Sequence, residues 1–151
     1  MDGSRERTYW IQVFTPSTWK RFLSSGGRVT GFRQLRWNYI QSLKPSDYLL
    51  CYVAGVSKFV GVLEVRGEPY LDTAPIWEED LFPCRVDVRI VASLALEDAI
   101  PIRSLKSLSI FQARSWSLYL ISSPRKWKQS DGEAVVQAVV DAQQQGAGNQ
   151  K

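Results

Sequence analysis

The chain has 151 residues, room for one domain, and at 44% hydrophobic, 12% aromatic and 23% charged it can bury a core, which excludes a disordered tail. Nineteen Lys and Arg against fifteen Asp and Glu leave a formal net charge of +4, with a sequence pI near 9.2. There is no histidine and there are only two cysteines, Cys51 and Cys84, which excludes histidine triads, histidine-ligated metals, a four-cysteine zinc cage and a disulfide framework.

In chain order, residues 1–7 are charged and small and are expected to be flexible. Tyr9–Phe14 (YWIQVF) is rich in aromatic and β-branched residues and predicts a strand. Thr15-Pro16 then opens a helix, with Thr15 as N-cap and Pro16 in the first turn. Trp19, Phe22 and Leu23 give that helix one apolar face, and Gly26-Gly27 stops it. A second short helix is predicted over residues 35–43, with Leu35, Tyr39, Ile40 and Leu43 as its buried stripe. Lys44-Pro45-Ser46-Asp47 is a turn, Tyr48–Val53 (YLLCYV) a buried strand, and residues 59–65 another, whose Gly61 suggests a bulge or a close approach. Residues 86–91 (VDVRIV) alternate as a half-exposed strand, and residues 116–121 (WSLYLI) predict the last strand. Residues 131–143 form a terminal helix capped by Asp131, and the polar residues 143–151 are expected to be flexible. The fold class is α+β: strands separated by short helices without a βαβ period indicate a small barrel rather than a Rossmann sheet.

The modest net charge hides segregation. Residues 7–46 carry seven basic residues and no acid, and residues 99–130 carry six basic residues and no acid. The stretch between them has ten acids and four bases. One-sided segments of this length suit a phosphate-facing surface, because Lys and Arg neutralise phosphates and release counterions; two merely solvated faces would also account for them. No stretch reaches the roughly 20 apolar residues of a membrane-spanning helix, and residues 1–8 are too polar for a secretory signal, so a cytoplasmic protein that does not engage membranes is expected.

Catalytic and metal-binding arrangements find little support. Glu78, Glu79 and Asp80 are contiguous, so their side chains diverge, and they read as a solvated loop. Gly26, Gly27 and Gly31 lack the Lys-Ser/Thr of a phosphate loop, and Cys51 reads as a small core hydrophobe. Asp87 and Arg89 alternate outward, as cross-strand partners do. No cofactor is expected.

Trp77 and Phe82 stand out, two large aromatics five residues apart in a charged loop ahead of a strand. Two readings fit: walls of a slot for a flat ring, where stacking one base is worth ~1–3 kcal/mol, or plugs at the end of the barrel.

Tyr9-Trp10-Ile11, Trp19, Gly31, Leu43-Lys44-Pro45-Ser46-Asp47, Leu50-Cys51-Tyr52-Val53 and Phe59-Val60-Gly61-Val62-Leu63-Glu64-Val65 follow one another in an order that resembles the EVE domain family of the PUA-like superfamily. Ile102-Arg103-Ser104-Leu105-Lys106, Trp116-Ser117-Leu118-Tyr119-Leu120 and Ser122-Ser123-Pro124-Arg125 extend it over residues 8–142 as a single domain. Trp77, Phe82 and Arg85-Val86-Asp87-Val88 are also similar to the related YTH readers of methylated adenine. The resemblance implies a twisted, mixed β-barrel of five to six strands, flanked by short helices and a C-terminal helix, with a pocket at one end for a flipped, methylated or hydroxymethylated base. It places Trp77 and Phe82 as cage walls. Thr30 stands where these families carry a Trp, so Gly31 and the nearby Phe32 enter the candidate pocket, Phe32 as a replacement wall. Gln12 and Val13 line its floor, and Trp10 and Trp116 read as core. Arg33, Arg36, Arg125, Lys126 and Lys128, in the basic segments, are the candidate phosphate contacts. The partner implied is modified DNA or RNA, with any effector on a separate protein and the chain a monomer. A general RNA-binding PUA-like domain without modification preference and, more distantly, a small ASCH-like enzyme acting on a nucleoside or RNA are the other readings.

Overall fold

Alternate residues of the first strand enter two different apolar clusters, and that division organises the molecule. A computed structural model describes residues 6–121 and 123–149. In β1 (Tyr9–Phe14), Trp10 and Phe14 join a cluster with Trp19, Phe22, Ile40, Leu43 and Leu49, while Tyr9 and Ile11 join a second with Phe59, Leu108, Ile110, Val135 and Val139. Strands buried on both faces explain the nearly continuous apolar run of β3 (Tyr48–Val53).

The remaining strands are β2 (Val29–Phe32), β4 (Lys58–Val65), β5 (Tyr70–Leu71), β6 (Cys84–Ser93), β7 (Ile100–Pro101) and β8 (Arg125–Trp127). The main sheet runs β2-β6-β4-β3-β1-β8, with β5 added to β6 and β7 to β4. All its pairs are antiparallel except β1 with β3, which makes it mixed. Curled into an open barrel with a C-terminal helix, it is the α+β architecture expected. At Gly61 an added Cβ would lie 2.9 Å from the Trp19 ring, so the glycine there lets helix α1 (Pro16–Ser24) lay its indole on the sheet.

Helix α1 begins as its sequence predicts. The Thr18 N–H donates to Thr15 Oγ1 at 3.1 Å and the Thr15 N–H to Thr18 Oγ1 at 2.8 Å, a closed capping box followed by Pro16. Buried Asp47 fixes the turn into β3. Its carboxylate accepts from Trp10 Nε1, the Thr8 N–H and the Lys44 N–H, each at 3.1 Å.

Several expectations are corrected. Residues 116–120 form 3-10 turns, not a strand: Leu120 is buried and Trp116 half-buried at i, i+4, while Leu118 is 50% exposed, so alternation fails. The edge strand beside β1 is β8, whose Arg-Lys-Trp carries only one buried residue and so no apolar pattern. The predicted helix over 35–43 is a 3-10 turn (Gln34–Arg36) and a short helix α2 (Trp37–Ile40). Ile40 and Leu43 are buried, but Leu35 is 84% exposed. Helix α3 runs Gln129–Asn149, starting before Asp131 and passing residue 143. Asp131 lies inside its first turn and accepts from the Ser109 N–H (2.8 Å) and hydroxyl (2.7 Å) instead of capping the helix. Arg7 donates to the Ser46 carbonyl and stacks on Tyr48; residues 1–5, Ser122 and residues 150–151 lie outside the described residues.

Candidate nucleic-acid interface

Curling brings β2 back towards β1, yet no ladder joins them among the described residues. β8 pairs with β1 only as far as Ile11, which leaves the last residues of β1 open on that side. Side chains close the seam. Gln12 Nε2 donates to Thr30 Oγ1 at 2.7 Å and to the Gly31 carbonyl at 3.3 Å. The Val13 N–H donates to Ser123 Oγ at 3.0 Å, and Arg36 Nη2 to the Pro124 carbonyl at 2.8 Å.

A cavity of about 380 Å³ opens in this seam, at the lower end of the size range of ligand pockets. β1 contributes Val13 and Phe14, β2 contributes Gly31 and Phe32, and the turn after β2 contributes Arg33, Leu35 and Arg36. Thr15, Thr18, Phe82, Ile121 and Ser123 complete the wall. In an antiparallel pair one residue's N–H and C=O point to the same side, so Gly31 turns both towards the seam and away from β6.

Phe82 is placed by three devices. Its φ of +44° is left-handed, a conformation that costs a bulky residue on the order of 1–3 kcal/mol and that must be held by its surroundings. Arg85, only 1% exposed, holds it: Nε donates to the Phe82 carbonyl at 3.3 Å and Nη2 to the carbonyls of Leu81 (3.1 Å) and Ala74. Gly31 makes room, since a Cβ there would stand 2.6 Å from the Phe82 carbonyl oxygen and 3.0 Å from its Cβ. The loop is also strapped to α1, with the Ser17 hydroxyl donating to Glu79 and Arg21 to the Ile76 carbonyl.

Of the sequence-predicted pocket residues, Val13, Gly31, Phe32 and Phe82 line this cavity. Trp77 does not. It is 5% exposed, donates from Nε1 to the Thr18 carbonyl at 3.3 Å and meets the Phe82 ring edge-on at 5.5 Å, so it backs the wall from behind. Its indole is wide enough to fill the space between β2 and α1, and that burial outweighs exposing it as a wall. Thr30 is fully buried against Gln12, and Gln12 is 3% exposed, so both lie behind the lining. Phe32 lines the cavity but is only 2% exposed.

The basic candidates divide. Exposed Arg33 and half-buried Arg36 line the seam cavity; the Arg36 guanidinium lies 4.3 Å over the Tyr39 ring. Arg125 stacks 4.3 Å over Tyr119 and donates to the Leu118 carbonyl at 2.9 Å. Lys126 and Lys128 border a second cleft, of about 310 Å³, beside the first turn of α3. Among the described residues two buried side-chain atoms have no hydrogen-bond partner, Gln12 Oε1 and Arg36 Nε. Sequence reasoning did not assign Arg85 a task of its own; a lone Arg before an alternating strand was the available signal.

Among the described residues no three metal-binding side chains converge, and no helix is long and apolar enough to cross a membrane. Burial pushes the Cys51 thiol well above its ordinary range and raises that of Cys84, so neither is poised as a thiolate nucleophile. The arrangement can take a flat ring between aromatic and aliphatic side chains, offer backbone polar groups to its edge, and place positive charge at the mouth.

The chain is 27% identical over 128 residues to a UPF0310 protein of Pyrococcus abyssi, covering 76% of this chain and 86% of the relative. In fold it is similar to the YTH domain-containing protein Mmi1, solved with RNA, at a TM-score of 0.73 and 12% identity, over 95% of this chain and 87% of that one. It is also similar to the YTH domain of the Zygosaccharomyces rouxii MRB1 protein, solved with N6-methyladenosine RNA (TM-score 0.63, 15% identity, 89% and 87% covered). The EVE domain family model matches residues 8–138, and the chain belongs to the EVE domain family.

Proposed function

We propose that this chain is a binding module, without catalysis of its own, that takes an extruded base carrying a methyl or hydroxymethyl group into the seam cavity. The observation that carries this reading is Phe82, held at an unfavourable backbone angle by a buried arginine and lining a cavity of base size. Extruding a base costs a few kcal/mol, stacking on an aromatic ring returns ~1–3 kcal/mol, and a buried methyl group adds about 0.8 kcal/mol. Gly31's edge groups would read the polar rim of the base, and Arg33 would hold the adjacent phosphate. The fold neighbours solved with RNA and with N6-methyladenosine RNA support the choice of ligand class. Lys126 and Lys128, in the second cleft, would take phosphates further along the strand.

The test is a panel of short DNA and RNA oligonucleotides, each with and without one methylated or hydroxymethylated base, run on the wild-type chain and on Phe82→Ala. A preference for one modified base that falls by roughly tenfold in Phe82→Ala is expected. Equal affinity for modified and unmodified oligonucleotides would refute the modified-base reading.

A further inference from the structure

Leu35 is expected in a buried stripe, yet at 84% it is the most exposed large hydrophobic side chain among the described residues; Ile121, at 70%, is next. Scattered single leucines on a surface are ordinary. These two are not scattered: both line the mouth of the seam cavity, Leu35 from the turn after β2 and Ile121 from the segment before β8. Leu81, 47% exposed, adjoins Leu35 in a neighbouring groove that also holds Arg33 and Asp80. The mouth therefore combines apolar tips from both edges of the seam with the guanidinium groups of Arg33 and Arg36.

We infer that Leu35, with Ile121, is a wedge that fills the stacking slot vacated when a base leaves a duplex, and that the ligand is base-paired nucleic acid. The inference rests on the reading of the seam cavity as a base pocket. An aliphatic side chain inserted between base steps recovers apolar contact that extrusion has lost. The gain is greatest where a complementary strand keeps the flanking pairs stacked and the slot open. In a single strand the neighbouring bases can close up or splay, and there is no slot to fill. The flanking arginines match the phosphates on either side of that slot, which favours nucleic acid over an apolar protein partner.

The test uses oligonucleotides carrying one N6-methyladenine or one 5-methylcytosine, each as a single strand and paired with its complement. The readout is the ratio of duplex to single-strand affinity, measured on the wild-type chain, Leu35→Ser, Leu35→Met and Phe82→Ala. Leu35 is exposed, so its replacement leaves the core intact. Removing a leucine from a filled slot should lower the ratio roughly tenfold in Leu35→Ser, with Leu35→Met close to wild type. A ratio unmoved by Leu35→Ser overturns the wedge, including the case in which both affinities fall together or neither changes. Phe82→Ala distinguishes the two claims: loss of binding to both forms there, with an unmoved ratio in Leu35→Ser, leaves the pocket standing and removes the wedge. A wild-type chain that binds neither form overturns both.

Discussion

Between β3 and β4 the ladder runs from Tyr48 opposite Glu64 to Val53 opposite Lys58, and every residue of β3 after Tyr48 is buried. Between β1 and β2 there is no ladder, and Gln12, Ser123 and Arg36 bridge the gap with side-chain hydrogen bonds. Both regions belong to one barrel, yet they are closed by different means. The paired side satisfies backbone groups against backbone groups. The seam leaves a cavity, an edge glycine, and two buried polar atoms without partners. Unpaired buried groups of that kind are a cost to folding that the paired side avoids. On the proposed function, stability and recognition are separated across the barrel.

The largest effect expected from breaking this contrast lies on the paired side. Asp47→Ala strips three donors, Trp10 Nε1, the Thr8 N–H and the Lys44 N–H, of a buried carboxylate. It should cost about 3–5 kcal/mol in urea denaturation, with Asp47→Asn recovering part of the loss. A cost below 1 kcal/mol would mean that the turn into β3 is not where the barrel is pinned.

On the seam, Gly31→Ala places a Cβ against the Phe82 carbonyl and should cost about 1–3 kcal/mol through overpacking. Its effect on binding should exceed its effect on stability, because Phe82 is the group displaced. Denaturation and oligonucleotide titration of the same variant measure both.

The smallest effect concerns neither closure but the outer rim of the sheet. The Tyr70 hydroxyl donates to Asp87 Oδ1 at 2.8 Å and its pKa is pushed from 10.0 up to about 12, by burial first and by Asp87 second. The folded protein then keeps this proton to higher pH than the unfolded chain does. The corresponding stability is present below pH 10 and is lost as pH rises towards about 12. Ultraviolet titration should show a late tyrosine contribution that Asp87→Asn brings forward.

The paired side was legible in the sequence because its signals are local. YLLCYV and FVGVLEV read as strands, the Thr15-Pro16 cap reads as a helix start, and Lys44-Pro45-Ser46-Asp47 reads as a turn. The seam was less so. β2 and β8 are four and three residues long and gain their stability from partners distant in sequence, so neither carries a pattern of its own. The Trp77 and Phe82 rings meet edge-on, but their division into backing and lining depends on how β2 and α1 converge, which spacing does not encode. Leu35 looked like core because a helical period cannot tell that its turn ends against the cavity mouth. Lys126 and Lys128 followed Arg125 in sequence, and the strand carried them to the other cleft.

The measurement that tests the central claim most directly is amide chemical-shift mapping of the labelled chain with the oligonucleotide it prefers. If recognition resides in the seam, the largest changes fall on Gly31, Phe32, Arg33 and Phe82, while Leu50, Cys51 and Val62 of the paired side stay still. Largest changes at Gln112, Trp127 and Lys128, beside α3, with Gly31 and Phe82 silent, would contradict the account and move the binding site to the second cleft.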